Sequence, residues 1–205
     1  KAKAKGIKPI IGCEMYVAPN GLLSKNSDTL DRKRHHLILL AKNQIGYKNL
    51  MRLISIAHLD GFYYKPRIDR PTLKKYAEGL IGMSACAEGE IPSAVISGDL
   101  LRAEKLALEY KSIFEPGDFY LEIQRNPIPE LDRVNRELIA ISRELNIPLV
   151  ATNDVHYLSR TNARVHEALL CIQTQTTLQD EKRMRFATDE FYFKSPEEMK
   201  ELFKE

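Results

Sequence analysis

The sequence predicts an α/β fold with a mainly parallel sheet. Short apolar, β-branched runs alternate along the chain with stretches whose apolar residues recur at spacings of three and four. The run Pro148-Leu149-Val150-Ala151-Thr152 is apolar enough for a strand covered on both faces, as in sheets flanked by helices. No heptad, solenoid period or low-complexity tract competes with this reading.

Bulk composition narrows the class. With 205 residues, 43% of them hydrophobic, the chain can bury a sizeable core as one large domain or part of one. A net charge of +3, from 31 basic and 28 acidic residues, is too balanced to argue nucleic-acid binding on its own. Cys13, Cys86 and Cys171 lie far apart with no secretory segment ahead of them, which points to a reducing, cytoplasmic setting. No apolar run approaches the roughly 20 residues of a membrane span, so no membrane partner is expected.

Lys1 to Lys5 reads as the last turn of a helix capped by Gly6, and the missing start of that helix suggests a fragment of a longer chain. Ile7–Ala18 reads as a strand broken at Gly12 and carrying Glu14. Pro19 to Arg34, polar and with an Asn-Gly pair, is expected to be an exposed, mobile loop. His35–Ala41 is a second strand with His35 and His36 at its entrance. Leu50, Leu53, Ile54 and Ala57 then define a helix over 43–60, where His58 suits the negative helix end.

The loop 61–69 mixes Tyr63, Tyr64, Lys65 and Arg67. It is either a contact surface for DNA or a partner, or a packed connection. A short helix over 71–78 stops at Gly79, and Leu80–Cys86 is a third strand ending in a thiol that reads as a ligand or as a small buried hydrophobe. A short helix opens near Glu88, and a longer one, capped by Asp99, carries Leu100, Ala103, Leu106, Ala107 and Tyr110. Phe119–Gln124 is the fourth strand, with Glu122 turned away from its apolar neighbours toward the centre of a barrel or toward a partner. Leu131, Val134, Leu138, Ile141 and Leu145 mark a clear amphipathic helix.

The strand 148–152 follows and delivers Asp154-x-His156, which is either a cation-binding pair or a turn-capping aspartate beside an ordinary surface histidine. A helix over 161–174 has Val165, Leu169 and Ile172 on one face, and its His166 is a surface residue or an outer hydrogen-bond donor to a ligand. Ser195-Pro196-Glu197-Glu198 begins a last helix with a capping box.

Glu14, Cys86, and Asp154 with His156 each sit at or near the carboxyl end of a different strand, where side-by-side parallel strands bring side chains together. His36, at the entrance of its strand, does not fit that rim. Imidazole, carboxylate and one thiolate suit zinc, with manganese or iron as the alternatives, and closely spaced ions of this kind serve phosphoester hydrolysis.

The segments GIKPIIGCE, HHLILLAKNQIGYKNLMRL, GFYYKPRID, EGLIGMSAC, FYLEIQ, IPLVATNDVHY and HEALLCIQT, in this order, resemble the polymerase-and-histidinol-phosphatase (PHP) domain of bacterial replicative DNA polymerase III alpha subunits. The resemblance covers essentially all of residues 1–205, with 176–205 leading toward the polymerase palm. It implies a distorted (βα)7-type PHP barrel, truncated at its N-terminus, and a metal cluster of which Glu14, His36, Cys86, Asp154 and His156 match five ligand positions. His36 is preferred to His35 because it directly precedes the leucine-rich strand. The family's first ligand-bearing units are absent, so the full cluster is not expected to assemble from this chain and the fragment alone is expected to be inactive.

The resemblance further implies metal-dependent 3′–5′ exonuclease proofreading within a DNA-directed DNA polymerase, whose own magnesium site lies beyond residue 205. The implied partners are DNA, a separate exonuclease subunit and the sliding clamp. Two alternatives are a structural platform for that exonuclease and a free-standing metal phosphoesterase. Strands lost from a closed barrel would expose edges, so self-association is also expected.

Overall fold

In the computed structural model the described residues are 1–25 and 34–204. They form a mixed α/β structure in two compact units, one of Lys1–Glu122 with Glu137–Val150, the other of Ile123–Arg136 with Ala151–Glu205. Part of the loop expected over Pro19 to Arg34 lies outside the described residues. The chain opens with a 3-10 turn, Lys3–Lys5, which Gly6 ends in the left-handed region at φ 73°, as the Lys-rich start suggests.

The first unit is organised on a sheet of order β3-β1-β2-β4-β5-β6. Its strands are β1 (Gly12–Val17), β2 (His35–Ala41), β3 (Arg67–Ile68), β4 (Leu80–Met83), β5 (Phe119–Gln124) and β6 (Leu149–Thr152), the last residues of β5 and β6 belonging to the second unit. The sheet is mixed, which corrects the expectation of a mainly parallel one. β2 runs antiparallel to β1 and to β4, whereas β1 with β3 and β4 with β5 are parallel. Antiparallel neighbours need no long crossover between them, so β2 lies between β1 and β4 with its direction reversed. β1 also begins later than expected, at Gly12.

Register separates two faces. Met15, Val17, Leu37, Leu39, Phe119 and Leu121 are buried on one. The other carries Glu14, Tyr16, His36, Ile38 and Met83 at partial or full exposure.

Helix α1 (Gln44–Leu59) starts at Asn43, whose side chain accepts from the Gly46 N–H, and buries Leu50, Leu53 and Ala57. Gly46 lies against Gly79, itself left-handed at φ 71°, and a Cβ on Gly46 would stand 1.8 Å from the Gly79 carbonyl oxygen. Gly46→Ala gains about 1 kcal/mol of helix propensity but forces two backbones apart. A net loss of about 1–3 kcal/mol is expected, read as a lower urea midpoint.

Asp69 caps the short α2 (Arg70–Lys75), and α3 (Glu90–Ile96) follows β4. Asp99 then caps α4 (Leu100–Ile113), as its sequence pattern indicates. Tyr110 of this helix and Phe114 at its C-terminal cap stack on Phe119 with ring centroids 5.5 and 5.7 Å away. Gly82 makes room for the Phe114 ring, which would lie 2.3 Å from an added Cβ. Along α5 (Pro129–Leu145), Leu131, Val134, Leu138 and Ile141 are buried, which matches the periodicity.

In the second unit, α6 (Ala163–Thr174) follows a 3-10 turn at Arg160–Asn162 and buries Leu170 and Cys171. Val165, Leu169 and Ile172 share a face as expected, but that face is exposed, at 59%, 58% and 74%. The last helix, α7 (Pro196–Leu202), has the anticipated capping box between Ser195 and Glu198. No helix among the described residues is long and apolar enough to cross a membrane.

Candidate metal centre

Antiparallel β2 explains the position of His36. Its entrance lies at the same rim as the carboxyl ends of β1 and β4, because Tyr16 pairs with His36 while Ile38 pairs with both Glu14 and Met83. Glu14 and His36 are therefore diagonal neighbours on one face. Glu14 Oε1 lies 2.9 Å from His36 Nδ1, and Cys86 Sγ lies 3.6 Å from the same nitrogen. Tyr16 closes the side of the group, its ring 5.2 Å from the His36 ring at 62°. The spacing of Glu14 and Tyr16, two apart on a strand, was a signal that the sequence held.

The backbone beyond β4 is shaped for this. Ala85, immediately before Cys86, is in the left-handed region at φ 62° although it has a side chain. The Gly89 N–H donates to the Cys86 carbonyl at 2.9 Å, and the His36 N–H donates to Glu88 at 3.1 Å. A Cβ on Gly89 would meet the Ser84 carbonyl oxygen at 2.0 Å. Gly89→Ala is expected to push the 84–89 turn away, cost about 1–3 kcal/mol, and separate Cys86 from His36. Histidine NMR would read that separation as a His36 pKa falling back toward 6.5.

That pKa stands at about 10, raised by hydrogen bonding to Cys86 and then to Glu14 against the opposing effect of burial. The three donors share one proton-bearing nitrogen rather than surrounding a point, and among the described residues no three His, Cys, Asp or Glu side chains form a ready metal cage. Their chemistry fits a cation nonetheless. Donors bound about 2.0–2.3 Å from a tetrahedral zinc ion lie about 3.3–3.7 Å apart. The 3.6 Å between Nδ1 and Sγ meets this, and the 2.9 Å to Glu14 would open by about half an ångström.

The remaining unit-one candidates stand as follows. His35 is buried on the opposite face, its Nδ1 donating to the Glu88 carbonyl at 3.2 Å. Glu122 is buried, and its backbone N–H donates to Ser84 Oγ at 2.8 Å. In the loop 61–69, Arg67 is drawn inside at 1% exposure, donates to Gly61 and Ser24 carbonyls, and lies under the Tyr63 ring. Arg67 is thus a packed residue and not an outward DNA contact. Tyr64 and Lys65 face solvent.

Asp154 and His156 belong to the second unit. Asp154 is left-handed at φ 48°, and its carbonyl accepts from His156 Nδ1 at 2.6 Å, which leaves Nε2 as the open nitrogen of the ring. His166 meets His156 edge-on, with centroids 5.5 Å apart and planes at 63°. Sequence reasoning missed what holds this pair. Asn153 Nδ2 donates to the carbonyls of Glu190 and Tyr192, and buried Lys194 donates to Asn153 Oδ1 and to the Glu190 carbonyl. The His156 N–H also donates to Phe191 at 2.9 Å. These partners lie about forty residues on with no periodic signal.

Among known proteins, the family model of the PHP domain matches residues 1–126. The chain is 49% identical over 203 residues to DNA polymerase III subunit alpha of Borreliella burgdorferi, covering 99% of this chain and 18% of that protein. It is 49% identical over 207 residues to the same subunit of Thermus aquaticus, covering 100% of this chain and 17% of the relative. The Treponema pallidum subunit is 44% identical over 200 residues, 98% of this chain and 17% of its own length. The chain thus spans about a sixth of the length of these curated relatives.

Proposed function

Because the chain belongs to the PHP domain family, we propose that it serves as the PHP domain of a bacterial replicative polymerase alpha subunit and contributes metal-dependent 3′–5′ excision there. The observation that carries the proposal is the meeting of Glu14, His36 and Cys86 at one rim of the sheet. His36 and Cys86 supply nitrogen and sulfur, Glu14 supplies oxygen, and this mixture suits zinc first and manganese second. When bound, such an ion supplies Lewis-acid activation of water and neutralises charge at a phosphoryl group.

The chain's own residues do the positioning. Tyr16 holds the plane of the His36 ring, the 84–89 turn aims Cys86, and the Asp154 carbonyl fixes the His156 tautomer. Asp154 and His156 are donors of the second unit in this reading. The polymerase activity, its magnesium, the exonuclease subunit and the clamp belong to the whole subunit, and a cytoplasmic setting follows from that assignment.

A second reading, a structural platform for a separate exonuclease, is supported by the exposed Val165, Leu169 and Ile172 stripe on α6. The test is metal content and primer-terminus excision on the full-length parent with and without His36→Ala and Cys86→Ser. The first reading expects both properties to fall together. Retained metal without excision in the unsubstituted parent would leave the platform.

A further inference from the structure

The second unit contains a cleft of about 410 Å³ between the start of α6 and the segment 185–189. One wall is aromatic. Tyr157 and Phe186 flank His166, with centroids 5.4 and 4.9 Å from its ring, and Phe186 is backed by Phe191 at 4.7 Å. Each ring is held edge-on or tilted against a neighbour, so the wall is preformed rather than collapsed.

The charges lining the cleft, with the groups that pair to them, leave a positive remainder. Glu167 is taken by Arg183, whose Nε and Nη2 stand 3.1 and 2.6 Å from its Oε1. Asp189 lies 3.5 Å from Arg160, which also pairs with Glu190, and Glu190 lies 2.9 Å from Lys194. Three acids are thus matched by three bases. Arg164 and Arg185, both exposed and both lining the cleft, make no ion pair among the described residues.

Two unmatched guanidiniums beside a wall of aromatic rings fit a phosphate with a flat ring attached. An acidic peptide would use the arginines and leave the wall idle. The cleft also adjoins His156, whose ring contacts both His166 and Phe186, at centroid distances of 5.5 and 4.7 Å. We propose that it takes one nucleotide of a single DNA strand, the phosphate on Arg164 and Arg185 and the base against Tyr157, His166 and Phe186. This rests on the excision reading above and adds to it a strand-binding subsite in the second unit.

The experiment is fluorescence anisotropy of labelled oligothymidylate with the 205-residue chain in chelator, at several salt concentrations. Arg164→Ala and Arg185→Ala are each expected to weaken binding several-fold, and the two together to flatten the dependence of log K on log salt by about 0.7, the one phosphate contact of a single strand that they share. Phe186→Leu is expected to weaken binding about fivefold or more with the salt slope unchanged. Arg102→Ala, in the other unit, is expected to change neither. Thermal melts identify a variant that fails to fold, and the exposed arginines carry the test if Phe186→Leu does.

Unchanged affinity and slope in both arginine variants would overturn the proposal. So would absent binding by the unsubstituted chain, or displacement of the oligonucleotide by polyglutamate as readily as by unlabelled oligothymidylate. Strand binding that survives while excision is absent in the parent would defeat the function proposed above and leave the cleft standing. Excision that survives Arg164→Ala and Arg185→Ala unchanged would do the reverse.

Discussion

Glu90→Ala is expected to destabilise the first unit by about 3–5 kcal/mol, a large share of the roughly 5–15 kcal/mol that holds a domain of this size. The Glu90 carboxylate is 2% exposed and lies 2.7 Å from Arg70 Nη1, which spans both of its oxygens. It also accepts from the Tyr110 hydroxyl at 3.0 Å. Burial alone would discourage charge on Arg70, yet the nearby Glu90 and Glu109 carboxylates keep its pKa above the ordinary value. Burial, followed by the Glu90 charge, likewise pushes the Tyr110 phenol well up. Removing Glu90 takes both hydrogen bonds from Arg70 Nη1, leaves that guanidinium the half-exposed Glu109 alone, and strands the Tyr110 hydroxyl where water is scarce, and it is this loss of partners that costs stability.

The neighbouring pair supplies the contrast. Glu109 meets the same arginine at 2.7 Å but is 41% exposed, so Glu109→Ala is expected to cost about 0–1 kcal/mol. The double variant Arg70→Met with Glu90→Leu, which removes both buried charges, should recover most of the loss. Urea midpoints of the four proteins decide the matter. A Glu90→Ala midpoint equal to that of Glu109→Ala would show that the buried pair contributes no more than a surface one.

Much of this fold was legible in the sequence because caps and periodicity are local. Asn43 and Asp99 announce helices that the structure begins one residue later, and the period-four residues of α5 are buried as their spacing implies. Strand direction is not local. The apolar run of β2 gives no sign of which way it enters the sheet, so His36 looked misplaced until its antiparallel pairing put it at the rim with Cys86. Periodicity also fails to say which side of a helix the core occupies. On α6 the regular Val165, Leu169 and Ile172 stripe faces out, while Leu170 and Cys171, adjacent in sequence, turn in. Arg67 settles toward the second of the two readings of its loop, a packed connection, because its donors go to the Gly61 and Ser24 carbonyls, and nothing local in a basic residue among tyrosines could choose between them. The Asn153–Lys194 contact depends on chain return over a long interval, which no short window contains.

Zinc binding by the chain is expected to strengthen as pH rises from 6 to 9, by up to about tenfold per unit for each proton displaced. His36 carries its proton up to about pH 10 in the metal-free protein, and Nδ1, the nitrogen facing Glu14 and Cys86, must lose that proton before it can ligate. Metal-free stability should move the opposite way. The folded pKa lies above the ordinary 6.5, so the contribution of His36 is fully present below 6.5 and is lost as pH climbs through about 10. Melting temperature in chelator should therefore fall across that window, whereas excess zinc should raise it increasingly. Calorimetry in buffers of different ionisation heat counts the protons released on metal uptake. His36→Gln should abolish the stability trend, remove one displaced proton from the pH dependence of zinc binding while that of the Cys86 thiol remains, and lower zinc affinity by more than the roughly 10–100-fold that loss of an outer hydrogen-bond partner costs. Zinc uptake that releases no proton at pH 7 would mean that His36 Nδ1 is not where the ion goes, and the meeting of Glu14, His36 and Cys86 would then be a hydrogen-bonded brace of the sheet rim.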